Sequence, residues 1–256
     1  LKLFIKLAIG VLCCTQLCAQ GPPIITDKPI MLSEHTVLIK TLTSIANTSD
    51  GTYSKIPLML HYLPSSNTIF GVHIPMVMAA ENTSQPGTYF GNFEIFGKYQ
   101  FFRRDGHRKT TRMAIKALGG FKSNINGPDS DLITKESQAE IQYIIGRETI
   151  RYGLGFNVGY RYTGPDYTDK IVIKFDYGKP IMPVKYPPKQ LNLYFEWKTE
   201  IPIQEGKMSN YVIPGIQYAH KTLTFDFAYM YLVGKNNQEN GGHINSMWHL
   251  GTRLAF

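Results

Sequence analysis

Seven histidines, His35, His61, His73, His107, His220, His243 and His249, are the side chains best suited to proton or metal chemistry in this chain. None belongs to an HExxH pattern or stands at the short spacing of a metal-ligand pair, so no metal ligand is assigned and no cofactor is expected. Serine chemistry needs a nucleophile, an imidazole and a group that orients the imidazole. His243, Asn245 and Ser246 supply those types close together, as an outer-membrane phospholipase would, but no surrounding motif accompanies them. Asn126, Asp129, Ser130 and Asp131 could offer oxygens to calcium, although a plain solvated turn explains them more simply. Asn47-Thr48-Ser49 and Asn82-Thr83-Ser84 match a glycosylation acceptor, a pattern frequent by chance. No catalytic residue is assigned, and the chain is not expected to be an enzyme.

A different chemistry comes from charged residues set between large apolar ones. Glu94, Lys98, Arg112, Lys116, Glu140, Arg151, Arg161, Lys174, Asp176, Glu196, Lys198, Asp226 and Arg253 fall on the face opposite the apolar side chains, which makes them lumen-facing if the strands close into a barrel. Eight of these are basic and five acidic. Mixed signs predict a salt-bridged interior, either purely structural or guiding a solute, and the basic surplus predicts a weak preference for anions if the interior conducts.

Those charges need elements that hold them on one side, and a two-residue period provides them. From Ile150 to Tyr162 the even positions are Ile, Tyr, Leu, Phe, Val, Tyr and Tyr, while the odd ones carry Arg, Gly, Asn and Arg, a pattern no amphipathic helix produces. Leu223 to Tyr231, Leu191 to Trp197, Ile171 to Tyr177, Phe93 to Phe101 and Ala139 to Ile145 repeat the split. The alternation predicts an all-β, transmembrane antiparallel β-barrel of about twelve strands. These lie near Thr36–Ile45, Tyr53–Leu63, Thr68–Met78, Tyr89–Phe101, Thr110–Lys122, Ser137–Ile145, Ile150–Tyr162, Lys170–Tyr177, Leu191–Lys198, Asn210–Ala219, Thr222–Val233 and Ser246–Phe256. Connections alternate between tight turns and longer loops rich in Asn, Gly, Ser and Asp. The basic Arg103–Lys109 hairpin and the Pro-rich stretch Gly178–Gln190 break that rule.

Composition agrees. The 256 residues are 43% hydrophobic, 12% aromatic and only 18% charged, with a formal net charge of +8. Disorder, coiled coil and a bundle of transmembrane helices are excluded. Lys and Arg are scattered over the strands, so nucleic-acid binding is not expected. Lys2 and Lys6 open an apolar run to Leu17 followed by Cys18, Ala19 and Gln20, which predicts a cleavable signal peptide over 1–19, a periplasmic N-terminal segment over 20–34 and the barrel over 35–256. All three cysteines precede the predicted cleavage site, so the mature chain would have no disulfide and no cysteine chemistry. At the other end Trp248, Leu250, Leu254 and Phe256 face one way and His249, Gly251 and Arg253 the other. This ending resembles that of bacterial outer-membrane barrels, whose last strand commonly closes on an aromatic residue read by the assembly machinery, and the resemblance implies that Phe256 is that signal, in the outer membrane with its lipid as solvent.

The run Phe70-Gly71-Val72-His73-Ile74-Pro75-Met76-Val77, followed by Gly91-Asn92-Phe93-Glu94-Ile95-Phe96-Gly97-Lys98-Tyr99, resembles the paired strands of outer-membrane proteins of the meta-pathway of phenol degradation family. The family has Asp where this chain has Asn92. The opening Gly21 to Asp27 and the later Gln190 to Tyr194 resemble members from Bacteroidetes-type genomes. The resemblance implies an outer-membrane transporter or porin-like channel without catalytic residues. On this reading the chain takes up a small hydrophobic or aromatic solute passively. The alternatives are an adhesive barrel acting through its loops and the phospholipase.

Overall fold

A computed structural model describes residues 23–29, 31, 33–48, 51–80, 82–83, 86–122, 136–165, 168–182, 189–204, 208–235 and 244–256. The predicted signal peptide, the 126–131 loop and His243 lie outside these. Thirteen strand segments follow one another: β1 (Thr36–Thr48), β2 (Gly51–Ser65), β3 (Thr68–Ala79), β4 (Gly87–Phe90), β5 (Phe93–Gly106), β6 (Lys109–Phe121) and β7 (Gln138–Thr149), then β8 (Gly153–Tyr162), β9 (Lys170–Pro180), β10 (Lys189–Pro202), β11 (Ser209–His220), β12 (Leu223–Lys235) and β13 (Ile244–Ala255). β4 and β5 both pair with β3, at its two ends, and together count as one wall strand interrupted at Gly91 and Asn92. The wall is therefore a closed antiparallel barrel of twelve strands, with β1 joined to β13 and every other strand to its sequence neighbours.

Closure is completed by the last residue. The amide of Phe256 donates to the Val37 carbonyl at 2.9 Å, and the Val37 amide donates to the Phe256 carbonyl at 3.1 Å. Among the described residues every wall strand has a partner on both sides, as a barrel in lipid requires.

Burial is inverted relative to a soluble sandwich. In β8, Phe156, Val158, Tyr160 and Tyr162 are exposed on the outside, while Gly155, Asn157 and Gly159 are buried on the inside. In β12, Phe225, Phe227 and Tyr231 point out and Asp226 points in. Charged and amide side chains such as Glu196, Gln217, Asp226 and Arg253 are buried, and large apolar ones are exposed. Only an apolar solvent outside and polar partners inside make that arrangement favourable. Glycines on the inner face leave room for charge: a Cβ on Gly155 would overlap the Asp176 carboxylate.

Three expectations change in detail. Ile150, Arg151 and Tyr152 are a turn rather than the start of a strand, because the Thr149 hydroxyl accepts the amides of Arg151 and Tyr152 at 3.2 and 3.0 Å and donates to the Tyr152 carbonyl at 2.9 Å. The apparent alternation through them is accidental. The Tyr89–Phe101 strand is split, with the buried side chain of Asn92 donating to the Glu136 carbonyl at 2.7 Å across the break. The basic Arg103–Lys109 hairpin is no long loop: β5 and β6 stay paired to Gly106 and Lys109, and only His107 and Arg108 turn. The turns 66–67, 107–108, 150–152 and 221–222 then share one end of the barrel with Thr36 and Phe256. The longer connections 80–86, 122–137, 163–169 and 236–243 share the other.

Candidate functional site in the barrel lumen

The interior is crossed by the chain's own N-terminal segment. Residues 23–31 precede β1, yet Ile24, Thr26, Lys28 and Met31 are buried within the barrel. These residues of the expected 20–34 segment are held there by a set of polar partners supplied by strands far away in sequence.

Glu196 of β10 takes the first of them. Its carboxylate accepts the backbone amides of Ile24 at 2.8 Å, Ile25 at 3.1 Å and Thr26 at 2.5 Å, so three successive donors converge on one acid. Arg253 of β13 donates to the Pro23 carbonyl at 3.2 Å while its guanidinium holds Asp226 through two bonds of 2.7 and 2.9 Å. Gln217 donates to the same Asp226 at 2.8 Å and accepts from Asn192 at 3.2 Å, which extends the network over four strands.

Asp27 bridges Lys98 of β5 and Lys116 of β6 at 2.8 and 2.9 Å. Burial alone would raise its pKa, but the attraction of Lys116 and Lys98 and their hydrogen bonds outweigh that and hold the carboxyl well below the ordinary range. Lys28 lies 3.2 Å from Glu148 and 3.6 Å from Asp176. Its carbonyl accepts a second bond from Lys98 at 2.9 Å. Apolar contacts finish the seat. Ile24 packs with Leu42, Ala228 and Ile213, and Met31 with Leu63, Ile69 and Phe96. A Cβ on Gly146 would stand 2.8 Å from the Pro29 ring, and one on Gly215 would stand 2.5 Å from the Ile24 methyl.

A second network occupies the wall. Arg161 pairs with Glu140 at 2.7 Å, which also receives Gln142, and Glu200 gathers Lys198, Lys170 and Arg161 at 2.6, 3.6 and 3.9 Å. Glu94 pairs with His73 at 3.0 Å. Of the residues expected to face the lumen, Glu94, Lys98, Arg112, Lys116, Glu140, Arg161, Lys174, Asp176, Glu196, Lys198, Asp226 and Arg253 occupy inward strand positions. Arg151 does not: it is exposed in the β7–β8 turn. Sequence reasoning missed Lys40, Lys55, Glu148 and Glu200, all on inward positions of strands whose alternation was drawn too short or too irregular. Lys40, Lys55 and Lys174 make no ion pair among the described residues. Carboxylates reach them only at longer range, Glu94 for Lys55 and Glu140 for Lys174.

The serine and histidine that the fold brings together are Ser44 and His249, with the hydroxyl 2.9 Å from Nδ1. The pair is buried, and Nε2 has no partner among the described residues, so no acid or amide orients the imidazole as hydrolysis requires. Asn245 and Ser246 sit at the start of β13.

An apolar outer wall, an ionised interior and closure without an edge define the outer-membrane class of β-barrel. Within that class the COG4313 outer membrane channel from Pseudomonas putida F1 superposes with a TM-score of 0.61, covering 93% of this chain and 100% of that one at 9% identity, which shows a common fold. CdiB from Escherichia coli is more distant, with a TM-score of 0.45, 6% identity and coverage of 91% and 64%. No family model matches the chain, and no curated protein matches it.

Proposed function

We propose that the chain is an outer-membrane channel for the passive uptake of a small hydrophobic or aromatic solute, whose lumen is obstructed at rest by residues 23–31. The observation that carries this reading is the seat of that segment. It is built from ion pairs and single hydrogen bonds to many strands, contacts that can be exchanged for water one by one, and not from a continuous strand pairing. Twelve strands enclose more than the side-chain-filled core of an eight-stranded barrel and less than the open pore of sixteen. A single extended segment is enough to close such a lumen.

The resemblance to the phenol meta-pathway family supports an aromatic solute, and the shared fold with a solved outer-membrane channel supports passage rather than catalysis. In this reading the chain leaves the cytoplasm on its signal peptide, is folded into the outer membrane by the barrel-assembly machinery through Phe256, and places the short turns in the periplasm. Liposome swelling with the purified full chain tests it. Swelling with small phenols or benzoates and not with oligosaccharides is expected. Impermeability to every solute, together with unchanged growth of a deletion strain on aromatics, would remove it.

A further inference from the structure

Two histidines on neighbouring strands meet inside the lumen. In the register of β2 and β3, His61 stands opposite Gly71 and His73 opposite Met59, so the two rings are diagonal neighbours on the inner face. Their Nε2 atoms face each other at 3.3 Å, with ring centroids 5.5 Å apart. Phe96 packs against both rings at 4.9 and 5.1 Å. Gly71 makes the approach possible, since a Cβ there would lie 2.8 Å from the His61 ring and run into Phe96. Behind the pair, His73 Nδ1 lies 3.0 Å from Glu94, whose other oxygen accepts from Gln138 at 3.1 Å.

The separation fits two readings, and 3.3 Å is the long end of an N–H···N hydrogen bond between the rings. Two imidazole nitrogens bound at about 2.0–2.1 Å to one tetrahedral ion stand about 3.3 Å apart. Glu94 is placed as an outer carboxylate is to a ligating histidine: accepting from Nδ1, it would leave the His73 Nε2 lone pair available on the side of His61.

We propose that His61 and His73 form an open two-histidine site for a divalent ion of the zinc, copper or nickel type, with Glu94 as the positioning carboxylate and water or a solute donor completing the coordination. Imidazole suits these ions better than it suits calcium or magnesium. Among the described residues no group of three His, Cys, Asp or Glu side chains could enclose a metal, so the site is open and reversible rather than structural. The nearby cations Lys98 and Lys116 are both bound to Asp27, and Glu94 adds a negative charge at His73. Lys40 and Lys55 have no such partner among the described residues and keep the affinity modest. The proposal is independent of the channel reading, although Met31 of the crossing segment also packs on Phe96.

The test uses the full chain in detergent with Cu2+ or Zn2+ alone. Electron paramagnetic resonance of bound Cu2+ should show coupling to two nitrogens in the wild type and to one in His61→Asn or His73→Asn. Zinc should bind once per barrel by calorimetry, about 10-fold or more weaker in either histidine variant and in Glu94→Gln, and unchanged in the exposed-site control His220→Asn. Heat-dependent gel mobility identifies the variants that have folded. Folded histidine variants with wild-type affinity and two nitrogen couplings would overturn the assignment, as would a wild-type barrel that binds no stoichiometric ion.

Discussion

The carboxylate of Asp27 lies 2.8 Å from the ammonium of Lys98, 71 residues away, and its other oxygen lies 2.9 Å from Lys116. One residue ahead of the barrel thus ties together two wall strands. Removing it leaves two lysines facing each other in a narrow interior. Loss of one partner from a buried pair typically costs about 3–5 kcal/mol, enough to favour the released segment by ~100-fold or more. Asp27→Asn should therefore raise single-channel conductance and expose residues 23–31 to protease, while the barrel remains resistant. Wild-type conductance together with wild-type cleavage would contradict this.

Acid should act through the same carboxyl. Its pKa is lowered on folding, so its contribution is complete above the unfolded value near 3.8 and is lost as pH falls through the lowered folded value. The share of the seat that Asp27 supplies is expected to hold from neutral pH to about pH 4 and to be lost only below it. Protease sensitivity of residues 23–31 measured against pH checks this, with Asp27→Asn losing that acid step.

Glu196 makes a separate contribution. Glu196→Ala strands three amides, those of Ile24, Ile25 and Thr26, whereas Glu196→Gln keeps one acceptor oxygen. Hydrogen exchange at these amides should rise more in the alanine variant than in the glutamine variant. Equal exchange in the two would place the acceptor elsewhere.

The wall strands are legible in the sequence because their side-chain period is two and the membrane enforces it: Asn157 must face in if Phe156 and Val158 face out. The crossing segment has no period to read. Ile24 finds Gly215 and Ile213 only after the barrel closes, and Asp27 finds two lysines on strands far away in sequence, Lys98 at a separation of 71 residues and Lys116 at 89. One signal was available. Eight basic against five acidic inward candidates left a surplus, and Asp27 supplies an acid from outside the strands. The pairing of His61 with His73 is hidden in the sequence for a related reason, since hairpin register and not sequence spacing makes them neighbours. Arg151 shows the converse, a turn built by the Thr149 hydroxyl that imitates alternation.

Selectivity should follow the lysines without ion pairs. Replacing Lys55 and Lys174 together by Gln is expected to move the reversal potential toward cations, and replacing Arg103 and Arg104, exposed near the β5–β6 turn, should move it little. Arg151→Gln should behave like the turn pair. Equal shifts for all three variants would contradict the inward assignment.

Phe256 closes the barrel through its backbone bonds with Val37 and presents its ring outward, 52% exposed. Its deletion removes both bonds at the β1–β13 seam. Export should continue while the heat-modifiable folded form falls several-fold, and wild-type membrane levels would count against the role.

The most direct measurement locks the segment in place. Pro29 packs against Gly146 closely enough for a Pro29→Cys, Gly146→Cys pair to be joined by a disulfide, and Cys13, Cys14 and Cys18 all lie within the predicted signal peptide. In planar bilayers the oxidised double variant should be nearly silent, and reduction should restore the openings of the reduced protein without changing its folded mobility. A barrel that conducts equally in both states would show that the segment does not control a path through the lumen, and a pair that never forms the bond would contradict the seat of Pro29 against Gly146.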